Sequence, residues 1–121
     1  MKTFIGIIGK PGAGKTSVGK KLQEHISGSK HFSMGEVLKS FEPDKSDNFS
    51  FETREKACQF LIEESEGTNY FIVDWNPYSP HGFFLLEALK SSFDKMHMIH
   101  LVCSDFVAVE RMHLRKRRVL L

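Results

Sequence analysis

The chain's 121 residues and 13.9 kDa allow one domain with a substantial core, and 40% hydrophobic against 26% charged residues is the balance of a water-soluble globule. No apolar run approaches a membrane span and no leader-like segment precedes the first apolar stretch, which argues against a membrane protein and sets the expectation of a cytoplasmic one. A net charge of +2 commits the chain to no class of partner.

In chain order, Lys2-Thr3-Phe4-Ile5-Gly6-Ile7-Ile8 reads as a buried parallel strand, apolar on both faces. Gly9-Lys10-Pro11-Gly12-Ala13-Gly14-Lys15-Thr16 follows and fits the phosphate-loop pattern G-x-x-x-x-G-K-[ST]. At ordinary residue frequencies the bare pattern arises in roughly 0.4% of chains this long. A helix opens at Gly14-Lys15 with Val18, Leu22 and Ile26 as its apolar stripe, and Gly28 is expected as its C-cap. Lys30 to Ser33 is a short strand, and Gly35 to Phe41 a short helix with Val37, Leu38 and Phe41 inward. After the loop from Glu42 to Asn48, Ser50 caps a helix from about Phe51 to Glu66 that carries Ala57, Phe60 and Leu61 and closes at Gly67. Tyr70 to Asp74 is a core strand. Gly82 to Phe93 is a helix with Leu85, Leu86, Leu89 and Phe93 as its apolar face; Met96 to Val102 is a fourth strand, and Ser104 or Asp105 starts a basic last helix.

Strands alternating with helices predict an α/β fold, a three-layer sandwich on a mostly parallel sheet of about four strands, with right-handed crossovers. One domain, residues 1–121, is expected. The ligand belongs at the carboxyl ends of the strands. Cys58 and Cys103 lie far apart without a C-x-x-C spacing and read as reduced core thiols. His97 and His100 on one strand point to opposite faces, so no zinc site is expected.

The chemistry concentrates at the glycine-rich loop. Its glycines let successive N–H groups curl round a phosphate, the helix N-terminus adds positive potential, Lys15 neutralises β and γ oxygens, and the Thr16 hydroxyl can ligate Mg²⁺. Gly9, Pro11, Gly12, Ala13, Gly14, Lys15, Thr16 and Ser17 are therefore the candidate nucleotide-phosphate residues. Asp74 closes an apolar strand, where an acid can hold the metal directly or through water, or can cap the next element. Thr16 and Asp74 are the candidate metal residues. No D-x-x-G follows a strand and no N-K-x-D occurs, which disfavours a regulatory GTPase and leaves a small-molecule kinase. Arg111, Arg115, Lys116, Arg117 and Arg118 crowd the C-terminal end, as a solvated helix terminus, a phosphate-binding group or a nucleic-acid tail.

Gly9 to Thr16, His31-Phe32-Ser33-Met34-Gly35-Glu36-Val37-Leu38-Lys39, Phe71-Ile72-Val73-Asp74-Trp75-Asn76-Pro77, and Ile99 to Cys103 with Glu110-Arg111-Met112 together resemble, in order, an adenylate kinase or nucleoside-monophosphate kinase. The family's S-T-G-D-x-x-R cradles the monophosphate acceptor and its D-G-[FY]-P-R serves magnesium and phosphates. The resemblance therefore implies Mg·ATP as cofactor and a nucleoside monophosphate as partner substrate. It implies acceptor contacts from Ser33, Gly35 and Lys39, with His81 or Gly82 where a family Gln reads the base, and catalytic roles for Lys15, Arg111 and Arg115. About 39–69 would be a reduced acceptor-binding insertion.

Three departures accompany it. Lys39 replaces an arginine and loses the bidentate fork, Tyr78 replaces another and loses its charge, and the chain stops where the family's lid and fifth strand begin. A catalytically degenerate nucleotide-binding or interaction module is the alternative function. A shikimate- or gluconate-kinase-like reading suits Gly14 to Gly19, but it calls for an acidic D-x-D style element that Ser33-Met34-Gly35-Glu36 lacks. An exposed sheet edge is costly, and Leu114, Val119, Leu120 and Leu121 could cover it or pair with a second copy.

Overall fold

The computed structural model describes residues 1–10, 12–45, 48–76 and 87–102. Pro11, Tyr78, His81, Cys103, Arg111 and Arg115, with the start of the expected fourth helix and the whole basic last one, lie outside the described residues. The elements run β1 (Thr3–Ile8), α1 (Lys15–His25), β2 (Ser29–Ser33), α2 (Met34–Phe41), α3 (Phe51–Ser65), β3 (Tyr70–Trp75), a 3-10 turn at Lys90–Ser92 and β4 (Lys95–His100).

All strand pairings are parallel and the sheet order is β2-β3-β1-β4. The path from β1 to β2 runs one way over β3, whereas the paths into β3 and β4 run the other way. Right-handed crossovers then put α1 on one face and the remaining helices on the opposite face. The side chains follow this division. Ile5, Ile7 and Ile72 pack with Val18, Leu22 and Ile26 of α1. Phe4, Phe71, Val73 and Trp75 pack on the other face with Met34, Val37 and Leu38 of α2, Ala57, Cys58 and Leu61 of α3, and Leu89. The alternation comes from the two-residue period of the strands, and each fully buried large apolar side chain stabilises by about 1.5–3 kcal/mol. This is the expected α/β sandwich on a four-stranded parallel sheet.

Ser50 caps α3, its Oγ accepting from the Thr53 N–H at 3.2 Å. The Glu42 carboxylate accepts from the Ser50 N–H and the Thr53 hydroxyl at 3.4 and 3.3 Å, tying the end of α2 to the start of α3. Three local expectations are corrected. The C-cap of α1 is Ile26, whose N–H bonds the Leu22 carbonyl at 2.8 Å, and Gly28 lies in the turn beyond it. Phe41 is 42% exposed, because α2 ends there and leaves the ring at the rim of the core, edge-on to Phe60. The expected helix to Phe93 stops early: residues 87–89 are helical, Lys90–Ser92 tightens to 3-10, and Phe93 is extended. There Asp94 pins the start of β4 to β1, its N–H bonding the Lys2 carbonyl at 2.8 Å and its carboxylate accepting the Lys2 N–H at 2.7 Å.

Candidate nucleotide-binding site

β1 and β3 are neighbours whose next strands, β2 and β4, lie on opposite sides of the pair, and in such a sheet the crevice for a ligand belongs beyond the carboxyl ends of those two strands. The loop after β1 and the end of β3 flank it. Gly12 and Gly14 hold φ of +86° and +92°, a backbone that side chains resist and that turns the chain abruptly from strand into helix. The Ala13 N–H closes the turn on the Lys10 carbonyl at 3.1 Å. Gly14 is the N-cap of α1, no side chain caps the helix, and its first turn carries no acid. The helix therefore presents N–H groups and positive potential to the crevice. The Lys15 ammonium donates to the Lys10 carbonyl at 2.9 Å, folded back over the loop.

Asp74 is 4% exposed and sits one residue before the end of β3, in register with Ile7 of β1 and Ser33 of β2. A buried carboxylate must be satisfied by donors, and three neighbouring side chains converge on it. Oδ2 accepts from the Ser33 hydroxyl at 2.7 Å and from His31 Nε2 at 2.6 Å. Oδ1 accepts from the Thr16 hydroxyl at 3.3 Å, and Thr16 Oγ1 also lies 3.2 Å from Ser33 Oγ. A carboxylate only accepts, so the hydrogen of the short contact is carried on the imidazole nitrogen.

The structure thus brings Thr16, Ser33 and Asp74 together from α1, β2 and β3, with Gly12, Ala13 and Gly14 in the adjoining turn, Lys15 at the start of α1 and Ser17 exposed on its first turn. Gly9 is buried directly after β1. Gly35 and Lys39 lie exposed on α2 and take no part in the Thr16–Ser33–Asp74 set. His31 is the member that sequence reasoning assigned no role. Its signal was the i, i+2 spacing to Ser33, which puts both side chains on the α1 face of β2, together with Gly19 inside a helix, where glycine is otherwise unfavourable. Among the described residues no group of three or more His, Cys, Asp or Glu is arranged to hold a metal ion. No helix among them is long and apolar enough to cross a membrane.

A family model described as an AAA domain matches residues 5–119. No curated protein matches the chain. Among solved structures, the Pnkp1/Rnl/Hen1 RNA repair complex is similar over 97% of this chain with a TM-score of 0.75 and 12% identity. The present chain spans 38% of that protein's length. The tunicamycin resistance protein of Deinococcus radiodurans gives a TM-score of 0.72 and 22% identity over 93% of this chain and 69% of its own. A gluconokinase from Sinorhizobium meliloti 1021 gives 0.63 and 20% over 93% of this chain and 65% of its own. At such identities the likeness is one of fold.

Proposed function

The chain belongs to the AAA domain family, and from that premise we propose that it is a Mg·ATP-dependent phosphotransferase resembling a reduced adenylate kinase, passing the γ-phosphoryl group of ATP to a nucleoside monophosphate. The observation that carries this reading is the hydrogen-bonded set of Thr16, Ser33 and Asp74 beside the glycine-rich turn. Phosphoryl transfer works by positioning and charge neutralisation, so the phosphate-side helix, the metal-side acid and the acceptor-side strand must meet at one place.

In this reading the N–H groups from Gly12 to Thr16 hold the β and γ phosphates, and Lys15 exchanges the Lys10 carbonyl for phosphate oxygens. Thr16 Oγ1 and Asp74 Oδ1, 3.3 Å apart, are hard oxygen donors of the kind Mg²⁺ prefers and would hold it. When bound, the ion neutralises charge on the β and γ oxygens. Ser33, Gly35, Lys39 and His81 serve the acceptor, and Arg111 and Arg115 flank the ATP. An acceptor phosphate oxygen bonds to the γ phosphorus as the bond to the β–γ bridging oxygen breaks, and ADP leaves without a covalent enzyme intermediate.

A second reading, transfer to a hydroxyl of a sugar acid, is favoured by the likeness to a gluconokinase and by Lys39 and Tyr78 standing where arginines would grip a second phosphate. A coupled assay of ADP formation with AMP, CMP, GMP, UMP or gluconate, after calorimetric titration with ATP, decides between them. Turnover with a monophosphate supports the first reading, and turnover with gluconate alone supports the second. Tight ATP binding without turnover leaves a nucleotide-binding module. A chain that binds no ATP overturns the proposal.

A further inference from the structure

The two oxygens of the Asp74 carboxylate are held very differently. Oδ2 takes two short bonds, from His31 Nε2 at 2.6 Å and Ser33 Oγ at 2.7 Å. Among the described residues Oδ1 takes one, from Thr16 Oγ1 at 3.3 Å, longer than an ordinary hydroxyl–carboxylate bond. That hydroxyl has a single hydrogen and Ser33 Oγ lies 3.2 Å from it, so even this bond is shared. Turning the carboxylate about its Cβ–Cγ bond would break both short contacts. Oδ1 is therefore aimed at Thr16 and only loosely engaged.

The imidazole also packs against α1. The His31 and Asp74 side chains are each 6% exposed, so water competes little for their contact. Gly19 is buried in the second turn of α1, and a methyl group built on it would overlap the His31 ring. A helix-interior glycine is otherwise unfavourable relative to alanine. Ring clearance is a physical reason for glycine at this position.

We propose that His31 is a positioning residue: seated against the bare backbone of Gly19, it ties down one oxygen of Asp74 so that the other is held toward Thr16 to receive a divalent cation. Outer hydrogen bonds of this kind orient a metal's ligands, and their removal typically lowers metal affinity by about 10–100-fold. The inference deepens the Mg·ATP reading and rests on it.

Calorimetric titrations with ATP in Mg²⁺ and in EDTA, on wild type, His31→Ala, His31→Gln and Gly19→Ala, give the factor by which Mg²⁺ enhances binding. His31→Ala should cut that factor by about 10–100-fold while leaving metal-free ATP affinity within about twofold. His31→Gln, whose amide N–H can reach the same oxygen, should recover most of it. Gly19→Ala should lower it with the histidine still present. Fluorescence of Trp75, the chain's single tryptophan and Asp74's neighbour, should report the same Mg²⁺ dependence in the ATP complex.

A folded His31→Ala protein with wild-type enhancement overturns the proposal. So does an equal loss of metal-free ATP affinity, which would mean a structural role, or a His31→Gln protein no better than His31→Ala. Should His31→Ala fail to fold by circular dichroism, wild-type enhancement in Gly19→Ala overturns it instead. Wild type that binds ATP without any Mg²⁺ enhancement removes the metal assignment and this inference together. Wild type that binds no ATP removes the proposed function with it, whereas failure confined to the variants leaves that function standing.

Discussion

Replacing Asp74 separates its proposed metal role from its structural one, provided that asparagine and alanine are compared. In Asp74→Asn the amide oxygen can occupy the Oδ2 position and accept from His31 and Ser33, while its N–H₂ faces the Thr16 hydroxyl, which can accept. No buried donor is orphaned. The two short bonds change from charge-assisted to neutral, a loss of about 1 kcal/mol each. Relief from keeping a carboxylate that is 4% exposed out of water offsets that loss. The net change should stay within about 2 kcal/mol, a shift in Tm of under about 10 °C. Asp74→Ala instead strands two buried donors at about 1–3 kcal/mol each and should lower Tm by roughly twice as much or more. For ATP the order is different. Asparagine removes the anionic oxygen a divalent cation needs, so Mg²⁺ enhancement should fall to about onefold, while metal-free ATP affinity is unchanged or raised because a carboxylate no longer repels the phosphates. Calorimetry with and without Mg²⁺, beside thermal melts followed by circular dichroism, measures all four quantities. Full Mg²⁺ enhancement in Asp74→Asn would refute the metal assignment, and equal destabilisation by asparagine and alanine would refute the hydrogen-bond accounting.

Lys15→Ala should weaken ATP binding tenfold or more, a charge-assisted contact being worth about 1.5–3 kcal/mol. Its melting temperature should hold, because the Lys15 bond to the Lys10 carbonyl is at an exposed position; wild-type affinity in a titration would remove the lysine from the site. Tyr78→Arg should raise ADP formation with a nucleoside monophosphate, since an electrostatic contact of this type is worth about 10²–10³ in rate; no turnover from either protein despite tight ATP binding would favour the non-catalytic module. Burial pushes the Cys58 thiol up to about 11 from 9.0, so the folded protein keeps a proton that the unfolded chain gives up. The thiol's contribution to stability is intact below pH 9.0 and is lost as pH climbs toward about 11. Urea unfolding at pH 8 and about pH 10.5 should show wild type losing more stability than Cys58→Ala, and parallel losses would refute this.

How much of the site could be read from the residues depends on how far apart along the chain its parts lie. The glycine-rich loop is contiguous: glycines that permit positive φ, a lysine and a hydroxyl, between an apolar strand and an amphipathic helix, carry their geometry locally. Ser50 as the cap of α3 was readable for the same reason, because capping is a contact between residues three apart. The helix stop before Phe93 was not, because Asp94 is drawn to Lys2, 92 positions away. Phe41 fits the apolar stripe of α2, yet whether a stripe's last residue is covered depends on what packs beyond the helix end.

His31 shows the same division at the site itself. Alternation along β2 put His31 and Ser33 on one face, and apolar patterning made Asp74 the polar end of a buried strand. Those features follow from the two-residue period of an extended chain and could be stated from the residues alone. That β3 rather than β1 lies beside β2 is a matter of strand order, which periodicity does not encode, and it alone puts His31 and Asp74, 43 positions apart, within hydrogen-bonding distance. Residue chemistry along the chain therefore determined the glycine-rich turn, the two-faced strands and the acid at the strand end. The tertiary fold decided which donors meet that acid and which of its oxygens is left toward Thr16, because a short bond between buried groups exists only once the strands and α1 have packed.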